Sequence, residues 1–323
     1  MTIPARVHFC WIGPTLPWAY VFAVLSAAAR SGMDEVILHH TDALAEGPEI
    51  RALRAAARVR LSRIDPAAYL ASVERAAGIA EGRLSAFYQS VPRPVQRADI
   101  LRVAILYREG GVYLDLDTIT VASFRPLLGA AQFVGTEFIV WPQAVCATRD
   151  WRIRARHVAL AALRRVLRTV PLGWKLFRRV THLYYRGMNN AAMGAQAGSP
   201  FFATCLRHML AMSPQERVRP YALGPHLLDA LAACGESGTL TVHDPAIFYP
   251  MPPEISEHLF RRSRHARAQD VLQPGTCVVH WYASVRTKQR VARITPRSVR
   301  ADRERQLFSA LVSMVLETLP DED

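Results

Sequence analysis

Apolar runs and helical stripes alternate along the first third of the chain. "RVHFCWIG" (6–13) is a continuous apolar run closed by a Gly-Pro turn, which predicts a buried strand. "LPWAYVFAVLSAAARSG" (16–32) has helical spacing and stops at Gly32, and "DEVILHHTD" (34–42) predicts a second strand. Residues 49–85, rich in Ala and Arg, read as mostly helical with a break at Pro66. "PRPVQRADILRVAILYREGG" (92–111) predicts a helix with prolines at its start and two glycines at its stop, and "VYLDLDTITV" (112–121) a strand after it. Such alternation is the pattern of a mostly parallel α/β sheet with helices on both faces. Beyond residue 150 basic helices run to about 186, followed by "GMNNAAMGAQAGSPFFATCLRHML", "YALGPHLLDALAACG" and a strand-turn at "HDPAIFYPMPP". A late strand "CVVHWY" (277–282) and an amphipathic segment at 301–319 complete the pattern.

One feature of the pattern is discordant. Asp115 and Asp117 interrupt an apolar strand, where an unpaired buried charge is costly. In an extended strand residues i and i+2 share a side, so both carboxylates face one way while Leu114 and Leu116 face the core. Carboxylates that close repel, and one titrates high unless a cation neutralises both. Mg²⁺ and Mn²⁺ prefer such oxygen ligands and complete their shell with water and substrate phosphates. A solvated strand end is the alternative. Asp99 and Arg102 are i and i+3 on the preceding helix and share a face, as a pair that grips sugar and phosphate oxygens or as a surface ion pair.

Composition narrows the partners. The 323-residue chain is half hydrophobic and 21% charged, an ordinary globular balance. The longest apolar run, "YVFAVLSAAA" (20–29), is half of the roughly 20 residues that span a bilayer. The N-terminus runs directly into strand-like sequence, and no cleaved leader is expected. Five scattered cysteines form no C-x-x-C pair and read as reduced, buried thiols. The net charge of +13 asks for an anionic partner. Between Arg149 and Arg186 there are eleven Arg or Lys against one acid, Asp150, interleaved with Trp, Leu, Phe and Tyr at helical spacing. That reads as an element for an anionic membrane surface or as a solvated, Arg-rich insertion packed on the sheet.

"RADILRVAILYREGGVYLDLDTITV" (97–121) resembles the signature of glycosyltransferase family 32, in the order acid, x-x-Arg, apolar helix, Gly-Gly, Tyr, D-x-D. That family includes α-1,6-mannosyltransferases and α-1,4-galactosyltransferases and, more distantly, resembles the large clostridial glucosylating toxins. "IPARVHFCWIG" resembles its opening strand, which implies Trp11 against the nucleotide base. "NNAAMGAQAGSPFF" resembles the segment carrying a sugar-facing Asn, here Asn189 or Asn190, and "ALGPHLL" a Gly-Pro wall, Gly224 and Pro225. "VVHWYAS" resembles the C-terminal element, which implies His280 at the metal or diphosphate and Trp281 and Ser284 near the substrate. In the toxins that element ends in Ser-x-Trp, whereas Ser284 is followed here by Val285 and Arg286. The resemblance spans roughly 3–125 and 187–290.

It implies a single GT-A-type domain over 1–323, with a basic helical insertion at about 149–187 and a C-terminal helical tail at about 300–323. It implies a retaining, Mn²⁺- or Mg²⁺-dependent hexosyltransferase using a nucleoside-diphosphate sugar, a UDP-sugar ahead of GDP-mannose. Asp115 would contact ribose or sugar hydroxyls and also the metal, directly or through water, and Asp117 the metal and both phosphates. No second carboxylate is evident for double displacement, so the leaving phosphate is expected to act as base on the same face. The expected acceptor is a glycan, a lipid-linked precursor or a protein, in polysaccharide biosynthesis, and the expected location is cytoplasmic or peripheral on the inner membrane face. Nucleic acid is not expected as a partner. A basic nucleic-acid-binding protein and a non-catalytic sugar-nucleotide-binding fold are the rival readings.

Overall fold

The computed structural model describes residues 2–235, 238–285 and 287–322; Arg286 lies outside them. The chain begins β1 (Arg6–Trp11), α1 (Trp18–Arg30), β2 (Glu35–His40), α2 (Pro48–Ala55), β3 (Val59–Arg63), α3 (Pro66–Ala77) and α4 (Arg83–Ser90). It continues with α5 (Pro94–Glu109), β4 (Gly111–Leu114), β5 (Thr118–Thr120), β6 (Gln132–Ile139), α6 (Gln143–Ala147), α7 (Trp151–Thr169) and α8 (Gly173–Val180). Then come β7 (Tyr185–Ala195), α9 (Pro200–Ala211), α10 (Pro214–Arg217), α11 (Pro225–Ala233), β8 (Leu240–His243) and α12 (Pro245–Phe248). The last elements are β9 (Val278–His280), α13 (Lys288–Val291), α14 (Pro296–Asp302) and α15 (Leu307–Val315).

Seven strands form one sheet in the order β3-β2-β1-β4-β7-β6-β8. Only β7 runs against its neighbours; β1 is parallel to β2 and β4, β2 to β3, and β6 to β8. Helices cover both faces, so two apolar cores form. One gathers α1, α2 and α15 around Val7, Phe9 and Leu114, and the other gathers α3, α5, α9 and α11 around Tyr113 and Met193. The expected mostly parallel sheet with helices on both faces is therefore what forms.

Helix α5 deserves its Gly-Gly stop for steric reasons. Gly110 and Gly111 have φ of +66° and +97°, a region that disfavours L side chains. A Cβ on Gly110 would lie 2.6 Å from the Ala197 nitrogen, and one on Gly111 2.9 Å from the Arg6 carbonyl oxygen. The chain thus reverses tightly out of a buried helix into the central strand β4.

Some expectations are refined. Residues 49–85 are mostly helical as expected, with α3 beginning at Pro66, but they also hold the edge strand β3, "VRLSR", which is half-covered and Arg-rich and so lacks a continuous apolar run. Residues 112–121 are two strands in two sheets, β4 in the large one and β5 paired with β9 in a two-stranded one. The basic helical segment ends before 187, since β7 begins at Tyr185 and pairs along β6. The C-terminal helical segment packs on the core, with Leu307, Phe308, Leu311, Val312 and Val315 of α15 buried. Two of the five thiols, Cys146 and Cys234, are exposed; none is in a disulfide. Among the described residues no helix is long and apolar enough to cross a membrane.

Candidate active site

The two aspartates occupy the turn between β4 and β5 rather than a strand. The last ladder bond of the large sheet is donated by the Asp115 amide to the Ala191 carbonyl, 2.8 Å. The Thr118 hydroxyl then donates to the Asp115 carbonyl at 2.7 Å and closes the turn. The antiparallel register of β5 and β9 sets Thr118 opposite His280, which carries the imidazole to the aspartate turn. His280 Nε2 lies 2.9 Å from Asp117 Oδ1, and the Ala283 amide donates to Asp117 Oδ2 at 2.7 Å. That amide is aimed by Tyr282, a non-glycine residue at φ +56° whose carbonyl accepts from the Thr287 hydroxyl. Ligand atoms of Asp115, Asp117 and His280 all lie within 4.8 Å of one another.

Electrostatics differentiates the two carboxylates. Burial pushes Asp115 up to about 6, with Arg102 opposing and the Asp117 charge adding to the rise. Asp117 experiences the same burial, yet the His280 charge, its hydrogen bond and the Ala283 amide carry it below the usual carboxylate range. Burial works against a charged His280, but the surrounding carboxylates, Asp117 first, outweigh it and raise the imidazole. Both shifts run in the sense that favours an ion pair between His280 and Asp117.

Arg102 organises the opposite side. Both of its terminal nitrogens reach Asp115, at 2.8 and 3.3 Å, one also donates to the Asn190 carbonyl at 2.6 Å, and the other lies 3.3 Å from Asp99. Its guanidinium stacks over Tyr113, 5.0 Å from the ring centroid. Asp99 and Arg102 are both buried, so this is a fixed network rather than a surface pair. Asp99 in turn accepts from the Asn190 side chain at 2.8 Å. A register shift between Val134 and Gly135 of β6, paired with Met193 and Asn189 of β7, bulges the strand over Asn190–Ala192. The bulge lets the adjacent Asn189 and Asn190 line the same cavity, which strict alternation would forbid. Gly224 backs Asn190 closely: a Cβ there would lie 2.4 Å from its side-chain nitrogen.

These groups open on a cavity of about 590 Å³ at the carboxyl ends of the parallel strands. Asp99, Arg102, Asp115, Asp117, Asn189, Asn190, Pro225, His280 and Ser284 line it. Trp11, Gly224 and Trp281 do not. Trp281 alternates with His280 and points the other way, into a cluster with Tyr20, Phe260 and Phe308, where it is 1% exposed. The expectation of Trp281 near the substrate is corrected accordingly. Trp11 sits at the end of β1 against Tyr20, a side chain whose hydroxyl is pushed up by burial and then by the Asp117 charge.

Sequence reasoning passed over Glu137, Tyr282, Arg164 and Glu254, which also line the cavity. Glu137 accepts from the Tyr282 hydroxyl at 2.7 Å, and burial raises its carboxyl. The signal was available, since Glu137 interrupts the apolar run "QFVGTEFIV" just as Asp115 interrupts its own.

Residues 59–134 match the family described as glycosyltransferase sugar-binding region containing DXD motif. The chain carries a glycosyltransferase DXD region. It is a transferase on that ground, and the D-x-D lies at the carboxyl edge of the mostly parallel sheet with helices on both faces that the sequence leads one to expect. The matched stretch runs from β3 into β6 and contains Asp99, Arg102, Asp115 and Asp117; Asn189, Asn190 and His280 join them only through the fold. Among solved structures, the PaToxG glycosyltransferase is similar at 16% identity over 73% of this chain and 71% of that one, TM-score 0.45. Mouse xyloside xylosyltransferase 1 is similar at 14% identity over 76% and 86%, TM-score 0.42. The galactosyltransferase LgtC, in complex with donor and acceptor sugar analogs, is similar at 15% identity over 98% of each chain, TM-score 0.40. No curated protein matches the chain.

Proposed function

We propose that this glycosyltransferase is a metal-dependent, retaining enzyme that moves a sugar from a nucleoside diphosphate, a UDP-sugar ahead of GDP-mannose, to an acceptor hydroxyl. The observation that carries the reading is the convergence of Asp115, Asp117 and His280 within 4.8 Å at one end of a cavity. Two carboxylates and one imidazole suit Mn²⁺ or Mg²⁺. The imidazole is aimed at the same point as the carboxylates, since His280 Nε2 lies 2.9 Å from Asp117 Oδ1. A divalent ion there supplies positive charge against the negative charge that grows on a leaving diphosphate.

The chain's own groups divide the remaining work. Arg102 holds Asp115 in one orientation from two nitrogens, leaving its outer lone pairs for donor hydroxyls. Asp99 fixes the Asn190 amide, and the bulged strand turns Asn189 to the same cavity, which suits two amides facing the sugar. Of two further buried carboxylates that line the cavity, Glu254 is held in an ion pair by Arg164, which leaves Glu137. Its engagement by Tyr282 and its raised carboxyl disfavour a free nucleophile, which supports same-face transfer with the leaving phosphate as base.

The test is a donor screen by thermal shift, with UDP- and GDP-sugars, with and without Mn²⁺, on wild type and Asp117→Asn. Ligand at 100 times Kd stabilises the native state by about 2.7 kcal/mol. A metal-dependent rise with one nucleotide class, lost in the variant, is the expected result, and a flat response across all donors overturns the reading. The retained anomer is checked by time-resolved NMR of the first product.

A further inference from the structure

Helix α7 carries an apolar stripe on its outer side. Trp151, Ala155, Val158, Ala159, Ala162 and Val166 follow i, i+4, i+7, i+8, i+11, i+15 spacing and are all exposed, Trp151 at 72% and Val158 at 58%. The inner side is instead made by His157, Leu160 and Leu167, which are buried. A helix folded only to cover a sheet turns its apolar residues inward and leaves charge outside; α7 has apolar faces on both sides. Cations flank the outer stripe, Arg154 and Arg165 along one edge and Arg152 and Arg156 along the other, by the helical period. Arg154 and Arg165 form no ion pair among the described residues. The following turn and α8 add exposed Val170, Leu172 and Leu176 beside Lys175 and Arg179.

We infer that the outer face of α7 docks on an anionic phospholipid bilayer and presents the cavity to an acceptor embedded there. Charge complementarity selects the occupant. Arginines on both edges of an apolar stripe sit at the headgroup level while the stripe enters the acyl boundary, whereas a protein partner gives no reason for two parallel rows of like charge. The same helix also belongs to the cavity rim. His157 packs against Trp141, ring centroids 6.0 Å apart, its Nδ1 lies 2.5 Å from the Val140 carbonyl oxygen, and Arg164 reaches Glu254 at 2.5 Å. Trp141, Arg164 and Glu254 all line the cavity. The bilayer therefore lies about one helix diameter, ~10 Å, from the rim. That distance fits a lipid-linked acceptor whose polar head rises from the membrane; this assignment of acceptor class rests on the transferase reading, while docking itself does not.

The test is co-sedimentation of the full chain with vesicles of phosphatidylcholine alone and of phosphatidylcholine mixed with phosphatidylglycerol, at low and high salt. Binding is expected only to the mixed vesicles and to weaken with salt. Arg154→Ala with Arg165→Ala is expected to weaken it about thirtyfold, from the attraction each cation gains at an anionic surface. Val158→Glu with Val166→Glu is expected to abolish it. All four positions are exposed, and the UDP-dependent thermal shift of both double variants is expected to stay at the wild-type value. No binding to mixed vesicles, or equal binding by the variants, overturns the proposal. So does a concentration-dependent dimer of the wild-type chain, without vesicle binding, that Val158→Glu with Val166→Glu dissociates. Loss of the thermal shift in wild type with vesicle binding intact would instead remove the donor reading and leave docking standing.

Discussion

His8 and His39 face each other from β1 and β2, His8 Nδ1 lying 2.9 Å from His39 Nε2, and both are fully enclosed. Only one proton fits between those nitrogens, so the pair is stable as neutral imidazoles. Burial lowers both, His8 well below the usual range and His39 to about 4, with the Glu109 carboxylate acting in the opposite sense on His39. The unfolded chain takes up these protons near pH 6.5, whereas the native chain resists until His39 titrates near 4. Between those values the unfolded state binds more protons, so native stability is full above pH 6.5 and falls as pH drops through that window. For His39 alone the loss is about 3 kcal/mol by pH 4, at 1.36 kcal/mol per unit. Urea unfolding at pH 7 and pH 4.5 is expected to show that decline, and His39→Gln to flatten it. An unchanged slope in the variant would mean that carboxylates elsewhere govern the acid limit.

At the scale of elements, the two-stranded β5–β9 sheet decides the site, and its support comes from the end of the chain. Trp281, next to His280, packs on Phe308 of α15 at 5.6 Å and on Phe260 at 5.7 Å. Phe308→Ala is expected to cost about 3–5 kcal/mol as a buried aromatic truncation. Because the cavity it leaves adjoins Trp281, metal affinity is expected to fall as well, and isothermal titration with Mn²⁺ measures that. A purely global loss of stability with native metal affinity would uncouple α15 from the site. This coupling was not legible in the sequence, since 301–319 has the texture of an ordinary amphipathic end. What was legible had a local cause: the β1–α1–β2 alternation, the Gly-Gly stop of α5, and two acids breaking an apolar run. What escaped had a tertiary cause. β3 exists because β2 offers it an edge, the aspartate strand splits because β9 pairs with only its second half, and the β7 bulge depends on β6. Glu137 alone was missed with its signal in plain view.

Across the whole molecule the candidate site is assembled from residues distant along the chain. Asp99 and Arg102 come from α5, Asp115 and Asp117 from the turn after β4, Asn189 and Asn190 from the bulge of β7, Pro225 from the start of α11, and His280 from β9. No local segment holds two of these groups apart from its own pair, so a ligand that bridges them must couple the openings of separate elements. Hydrogen exchange makes this measurable, because local opening free energies vary across a native protein and rise where a ligand adds contacts. Addition of Mn²⁺ and the nucleotide identified by the donor screen is expected to slow exchange together at 99–102, 115–118, 188–191 and 280–285. The sheet edge at β3 and the outer face of α7 touch none of these groups and are expected to keep their rates. Protection confined to 115–118 would mean that the ion binds the aspartate turn alone, without His280 or the amides. Uniform protection that includes β3 and α7 would indicate global stabilisation in place of a bridged site. Only the selective pattern, four separated segments moving as one, fits a ligand seated across the cavity.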